Sequence, residues 1–372
     1  MTNIQSKFIK TYFLLLSFII IGTVKAQSLS ELKHKWLTLK EDTARINAGL
    51  KIVSDYYSII DDSVFVENKI LLQIFKLSKQ SNYSKGIIVS GFRLGNNYNI
   101  QSNLPKAIEY YYLSLKESEK VNNKPGMAQA KMGIGLVFYM QNNWTKAIDF
   151  FKGSLVINKS IKEFKSVATQ QYLIGLSMLE LKKLDIAKAY LDSAYKIKRS
   201  FKDTVGMNEC LLGYANVFKE KGDFDSALAY YSKLLNILIK NKEYVPISLI
   251  YTSLAEIDFA NNQLSKALIN AKKALSYSNM NLNLRSKMLA YKILNKIYSS
   301  LNDYQKAYLY NNYYNNLKDS IENIDFSSQI SLTQANYTFE KEQSNLRALQ
   351  FKKDINHKIE LKNKNRNLLI LT

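Results

Sequence analysis

The chain has 372 residues, 47% of them hydrophobic, and carries a formal charge of +21. Only 13 Gly and 3 Pro are present, which excludes a protein built on many hairpins and tight turns and points to an almost wholly helical one. The charge does not single out a nucleic-acid partner: lysines are spread along the chain, and Lys, Asn, Ile and Tyr are enriched together, as an A+T-rich coding sequence would give.

Residues 1–26 stand apart. Lys7 and Lys10 lead into "TYFLLLSFIIIGTV", and "VKA" (24–26) closes the segment with a small residue. This is the pattern of a secretory signal peptide. Cleavage after Ala26 leaves Gln27 first, without the cysteine that a lipoprotein needs. An uncleaved N-terminal anchor is the alternative. On either reading the rest of the chain is exported, periplasmic or otherwise extracytoplasmic. Cys210 is the single cysteine, so no intramolecular disulfide forms and Cys210 is expected to be a small buried hydrophobe.

After a segment over 27–42 the pattern becomes periodic. Ala107, Ala147, Ala187, Ala227, Ala267 and Ala307 are spaced by 40 without insertion. Three residues before each stands Leu104, Trp144, Leu184, Phe224, Leu264 or Tyr304, always large and apolar. Twelve before stand Gly95, Gly135, Gly175, Ala215, Ala255 and then Asn295. Twenty-one before stand Gly86, Gly126, Ser166, Gly206, Pro246 and Ser286, which are expected at the junction of one helix with the next. Each unit then reads as a helical hairpin. The Gly or Ala in its first helix allows close approach of the second, and neighbouring hairpins stack to complete the core.

"LGNNY" (94–98) and "IGLVF" (134–138) resemble the Leu-Gly-x-x-Tyr element of the tetratricopeptide repeat (TPR), and "NWTKAIDFFKGSL" (143–155) resembles its second helix. The resemblance spans six units over 87–318 and implies an all-α solenoid that binds proteins or peptides. The period of 40 exceeds the usual 34, so helices or turns are expected to be longer. Asn295 marks a weakened last unit. Residues 43–86, with Glu67 in the register of the alanine, read as a degenerate capping repeat.

In TPR arrays the first helices line an inner surface. The resemblance therefore implies one inward register through Phe92, Met132, Tyr172 and Leu212, a second through Leu136 and Leu176, and a third through Tyr139 and Leu179. Together these residues are the candidate partner-binding groove. The competing expectation is that they pack against the adjacent repeat.

Little in the sequence suggests catalysis. His34 and His357 lie at opposite ends, which excludes a multi-histidine metal site, and one cysteine excludes a cysteine-rich zinc site. "GIGLVF" (133–138) has the glycines of a phosphate loop but falls inside a repeat helix. Asp61 and Asp62 read as turn residues. No enzyme, cofactor or metal is expected.

Residues 319–367 read as one long charged helix. Leu332, Ala335, Phe339, Leu346 and Leu349 give a partial coiled-coil seam that Glu342 and Lys353 interrupt, so dimerisation through it is one expectation and a helix folded back on the last repeats another. "NNLKDSIEN" (315–323) and "YTFEKEQ" (337–343) resemble the end of the extracytoplasmic region in bacterial membrane-anchored TPR sensors, in which a transmembrane segment and a histidine kinase or helix-turn-helix output domain follow. His357 lacks the flanking residues of a phospho-accepting histidine. The resemblance implies the sensing half of such a protein, with "LLILT" (368–372) as the expected stub of a transmembrane helix. A stand-alone periplasmic scaffold is the alternative.

Overall fold

The computed structural model describes residue 34 and residues 36–40, 43–54, 64–280, 283–321 and 324–371. The signal-peptide segment 1–26, the acidic pair at 61–62 and the last residue lie outside the described residues, as do the side chains of His357 and of 368–371. The chain falls into two compact units, Met1–Ile321 and Glu322–Thr372.

The first unit opens with α1 (Thr43–Ile52) and α2 (Val64–Gln80). Six hairpins follow: α3 (Ser84–Ile100) with α4 (Leu104–Lys120), α5 (Lys124–Met140) with α6 (Trp144–Ser160), and α7 (Phe164–Glu180) with α8 (Leu184–Ser200). Then come α9 (Thr204–Glu220) with α10 (Phe224–Asn241), α11 (Tyr244–Ala260) with α12 (Leu264–Asn279), and α13 (Leu284–Ser300) with α14 (Tyr304–Ile321). The architecture is an α-solenoid of TPR-like hairpins, with no strand among the described residues.

The period of 40 has a local origin. Helices of 17 residues alternate with three-residue turns, so one helix and its turn repeat every 20 positions. The middle turn residue is left-handed at Asn82, Ser102, Asn122, Asn142, Lys162, Lys182, Lys202, Lys242, Asn262 and Asn302, and at Gly222. In each such turn a backbone N–H reaches back five residues, as from Asn103 to the Tyr98 carbonyl at 2.8 Å, and satisfies the helix end. The third turn residue then caps the next helix. Side chains of Asn103, Asn123, Asn143, Asp203, Asp223, Asn283 and Asp303 accept from the backbone N–H three residues on. Asn and Lys do most of the left-handed work that Gly usually does, which explains a turn-rich fold with 13 glycines. Both turns are short, so the added length lies in the helices.

The six register alanines are buried on the second helices. Opposite them the first helices are thinned to admit large side chains. A Cβ on Gly95 would fall 2.5 Å from the Tyr111 ring, and one on Gly135 2.5 Å from Phe151. At Gly175 the facing residue is Leu191, 3.1 Å away. The junction residues are placed differently from the expectation. Gly86, Gly126 and Gly206 sit inside their first helices and not at the break. A Cβ on Gly126 would meet Ser118 Oγ at 2.5 Å and Ile88 Cγ2 at 2.9 Å, so close packing sets their size.

Around the first hairpin, Trp36, Ile46, Ile52, Val53, Leu71, Ile74 and Phe75 form a core with Ile87 and Leu94. Glu67 is buried there, 3.5 Å from Arg93; burial raises its pKa above the ordinary carboxylate value, against the opposing pull of Asn97 and Arg93. At Asn295, where Gly or Ala is expected, the side-chain amide donates to Asn311 Oδ1 at 3.2 Å.

The second unit is α15 (Ile324–Leu371), 48 residues without a break and about 72 Å long at 1.5 Å per residue. Leu332, Phe339, Leu346 and Leu349 are exposed along it. Among the described residues no helix is long and apolar enough to cross a membrane.

Candidate functional site

Successive first helices lie against one another, as with α3 and α5, α7 and α9, and α11 and α13. They form the inner layer of the solenoid, and the second helices form the outer one. The inner layer is laced by charge pairs between neighbouring units: Lys182 with Glu220, and Lys219 with Glu256.

The groove candidates divide on burial. Phe92, Met132, Leu136, Tyr139, Tyr172, Leu176 and Leu212 are half-buried on this layer. Leu179 is not a groove residue: it is buried in a cluster with Ala187, Leu191, Tyr214 and Val217. It stands at the end of its helix, where the side chain turns into the hairpin. Trp144, the large residue that opens α6, packs edge-on against Tyr139 with centroids 4.8 Å apart.

Phe92 and Met132 border a cleft of about 480 Å³ between α3, α5 and α7. Its polar lining includes Asn158 and Gln170. Asn158 donates to Gln170 Oε1 at 3.1 Å, and Gln170 Nε2 lies 3.5 Å from the Met132 sulfur. One hairpin further on the same place holds a charge pair. Lys198, itself buried, donates to Glu209 at 2.7 Å and sits 5.3 Å above the Tyr172 ring. Asn158 and Lys198 are one period apart near the ends of second helices, a register shared with Ser118, Leu238 and Ser278. Sequence reasoning confined the groove to first helices and missed them. The signal that could have found them is a polar side chain in a register otherwise small or apolar.

Burial and the nearby Glu209 carboxylate raise the Tyr172 hydroxyl well above its ordinary value. Tyr139 is raised by burial and by Glu180, with Arg285 opposing. Both phenols stay protonated at neutral pH. Burial pushes the Cys210 thiol up to about 12, so it is a poor nucleophile. Among the described residues no group of three or more His, Cys, Asp and Glu is placed to hold a metal. The layer offers apolar side chains, an amide pair and a charge pair in a row, chemistry suited to recognising an extended chain.

The tetratricopeptide repeat model matches residues 209–237, from within α9 through most of α10. No curated protein matches the sequence. Among solved structures the chain is similar to the apo form of RapI, with TM-score 0.57 and 15% identity, over 72% of this chain and 95% of that one. It is similar to NprR in complex with its cognate peptide NprX, with TM-score 0.54 and 14% identity, over 83% of this chain and 89% of that one. A tetratricopeptide repeat protein from Parabacteroides merdae has TM-score 0.50 and 15% identity, over 77% of this chain and 98% of that one. At these identities the likeness is one of fold.

Proposed function

We propose that the chain is a non-catalytic module that binds a peptide or protein segment along the inner layer of first helices. The observation that carries this reading is the burial pattern. Seven large apolar or aromatic side chains, from Phe92 to Leu212, are only partly buried on first helices whose hairpin-facing residues, such as Leu94, Ile134, Ile174 and Ala215, are fully buried. Side chains of that size left open in a row mark a binding surface more often than a folding defect. The cleft beside Phe92 and Met132, of about 480 Å³, adds room for an anchoring side chain. NprR, similar in fold, is a peptide complex in its solved structure, which is support by analogy.

Peptides selected from a displayed random library against the full chain test the reading. Tyr139→Lys and Leu176→Lys are each expected to keep the helical circular-dichroism signal and to weaken the selected peptides at least tenfold. If either variant unfolds, or if both bind as the parent does, the groove reading fails.

Within this reading the chain serves as the extracytoplasmic sensing part of a membrane signalling protein. Support comes from the signal-peptide pattern of residues 1–26 and from the resemblance of residues 315–343 to the end of such sensors. Expression with residues 1–26, fractionation and N-terminal sequencing test the export, with Gln27 as the expected first residue. The sensor further requires about 20 apolar residues encoded beyond Thr372. Export without such a segment leaves the stand-alone scaffold.

A further inference from the structure

One contact spans the inner surface. Arg285, in the first turn of α13, reaches the second hairpin, 143 positions along the chain from Asn142. Its guanidinium carbon lies 5.7 Å from the ring centroid of Tyr139 and 5.7 Å from that of Trp144. Its Nη2 is 3.5 Å from Asn142 Oδ1. The two rings meet edge-on, and Glu180, at the end of α7, is a charged neighbour of the Tyr139 hydroxyl.

These groups are a receptor for a planar cation. Two aromatic faces attract a guanidinium through their quadrupoles, an amide oxygen accepts from it, and a carboxylate lies within the same cluster. Three elements supply them: the end of α5, the turn and start of α6, and the end of α7. Arg285 reaches them from four hairpins away. It fills the receptor loosely: among the described residues it makes no ion pair with a carboxylate, and its one hydrogen bond is long. A ligand arginine that engaged Glu180 as well would hold the site better than the tethered one.

We propose that Tyr139, Trp144, Asn142 and Glu180 form a binding site for an arginine side chain of the ligand, and that Arg285 occupies it in competition. The proposal rests on the inner layer being the binding surface, and it deepens that reading by naming one ligand residue. Displacing Arg285 also unties the second hairpin from the sixth, so ligand binding and the spacing of the two are linked. A tethered competitor lowers the apparent affinity of a free arginine for the parent protein.

The test uses the full chain with N-acetyl-arginine methylamide as probe and N-acetyl-citrulline methylamide as its neutral isostere. Trp144 fluorescence reports occupancy, while Trp36, buried in the first core, gives a constant background. Arg285→Ala is expected to bind the arginine probe at least tenfold more tightly than the parent, and to prefer it to citrulline at least tenfold. Adding Glu180→Gln should weaken that binding severalfold. Equal affinity in parent and variant, no preference over citrulline, or no binding by a folded Arg285→Ala would each overturn the proposal. If Arg285→Ala loses its helical signal, Arg285→Gln is read by the same criteria. The probe needs no library peptide, so failure of the peptide selection and failure of this site are separable results.

Discussion

Asn295 donates its side-chain amide to Asn311 at 3.2 Å, in the place where the first three hairpins set a Gly against a bulky side chain. The partners in the first three units are Gly95 with Tyr111, Gly135 with Phe151 and Gly175 with Leu191, while the fifth has Ala255 and Ala271. The sixth hairpin therefore keeps the contact and changes its chemistry. Two medium polar side chains that bond each other occupy the space of one ring and no side chain.

That exchange makes the two positions interdependent. Asn311→Ala strands the Asn295 amide and should cost about 1 kcal/mol in urea unfolding. Asn311→Tyr should cost about 1–3 kcal/mol, because Asn295 stands where the ring must go. Asn295→Gly combined with Asn311→Tyr rebuilds the pair of the first hairpin and should recover most of that loss. Additive effects in the double variant would refute the coupling.

Most of the solenoid was legible because a residue every 40 positions reports one packing environment. Ala107 to Ala307 and Gly95 to Gly175 show this directly. A second ladder was equally readable. Tyr98 stacks on Tyr110, Phe138 on Phe150, Phe218 on Tyr230 and Tyr298 on Tyr310, with centroids 5.5–5.7 Å apart. Met178 and Asp258 interrupt that register, and Asp258 instead accepts from Asn270 at 2.7 Å. The site was less legible. Lys198 reaches the groove from the end of a second helix, and Arg285 crosses from the sixth hairpin. Both depend on how the hairpins stack, which no local period encodes.

The glycines of the first helices should resist even a methyl group. Gly135→Ala would place a Cβ 2.5 Å from the Phe151 ring and should destabilise by about 1–3 kcal/mol. The flexible Leu191 that faces Gly175 at 3.1 Å indicates the remedy. Phe151→Leu in the Gly135→Ala background should regain part of the loss, although Phe151→Leu alone removes apolar volume and destabilises. Thermal melts of the four proteins would show the compensation. A Gly135→Ala variant that melts with the parent would show that the helices separate at no cost.

Lys198 and Glu209 should behave as a unit. Lys198 is buried with its ammonium 2.7 Å from a carboxylate that is 46% exposed on the side chain. Glu209→Gln leaves the buried ammonium without its counter-charge and should cost about 1–2 kcal/mol, less than a wholly buried pair because water reaches the carboxylate. Lys198→Met keeps the stem's packing and removes the charge that needed a partner. It should cost less than Glu209→Gln, and adding it to Glu209→Gln should restore stability. Urea midpoints of the three variants would show whether Lys198→Met is instead the more damaging change.

Tyrosine ionisation should set the alkaline limit of the fold. Burial holds the hydroxyls of Tyr111, Tyr172 and Tyr231 well above the ordinary value of 10, and Tyr110 is pushed up to about 12 by burial with Tyr98 and Glu109 beside it. Unfolded, all of them titrate near 10. A phenol raised by folding contributes its full stabilisation below the unfolded value, and loses it as pH climbs through the folded value. Stability should therefore be insensitive to these groups below about pH 10 and fall steadily above it. Phenolate absorbance at 295 nm should rise in one step near pH 10 in urea. In buffer it should split into an early rise from exposed residues and a late, cooperative one that coincides with loss of the helical signal. A single native titration near pH 10 with the helices intact would mean that these hydroxyls are not sequestered.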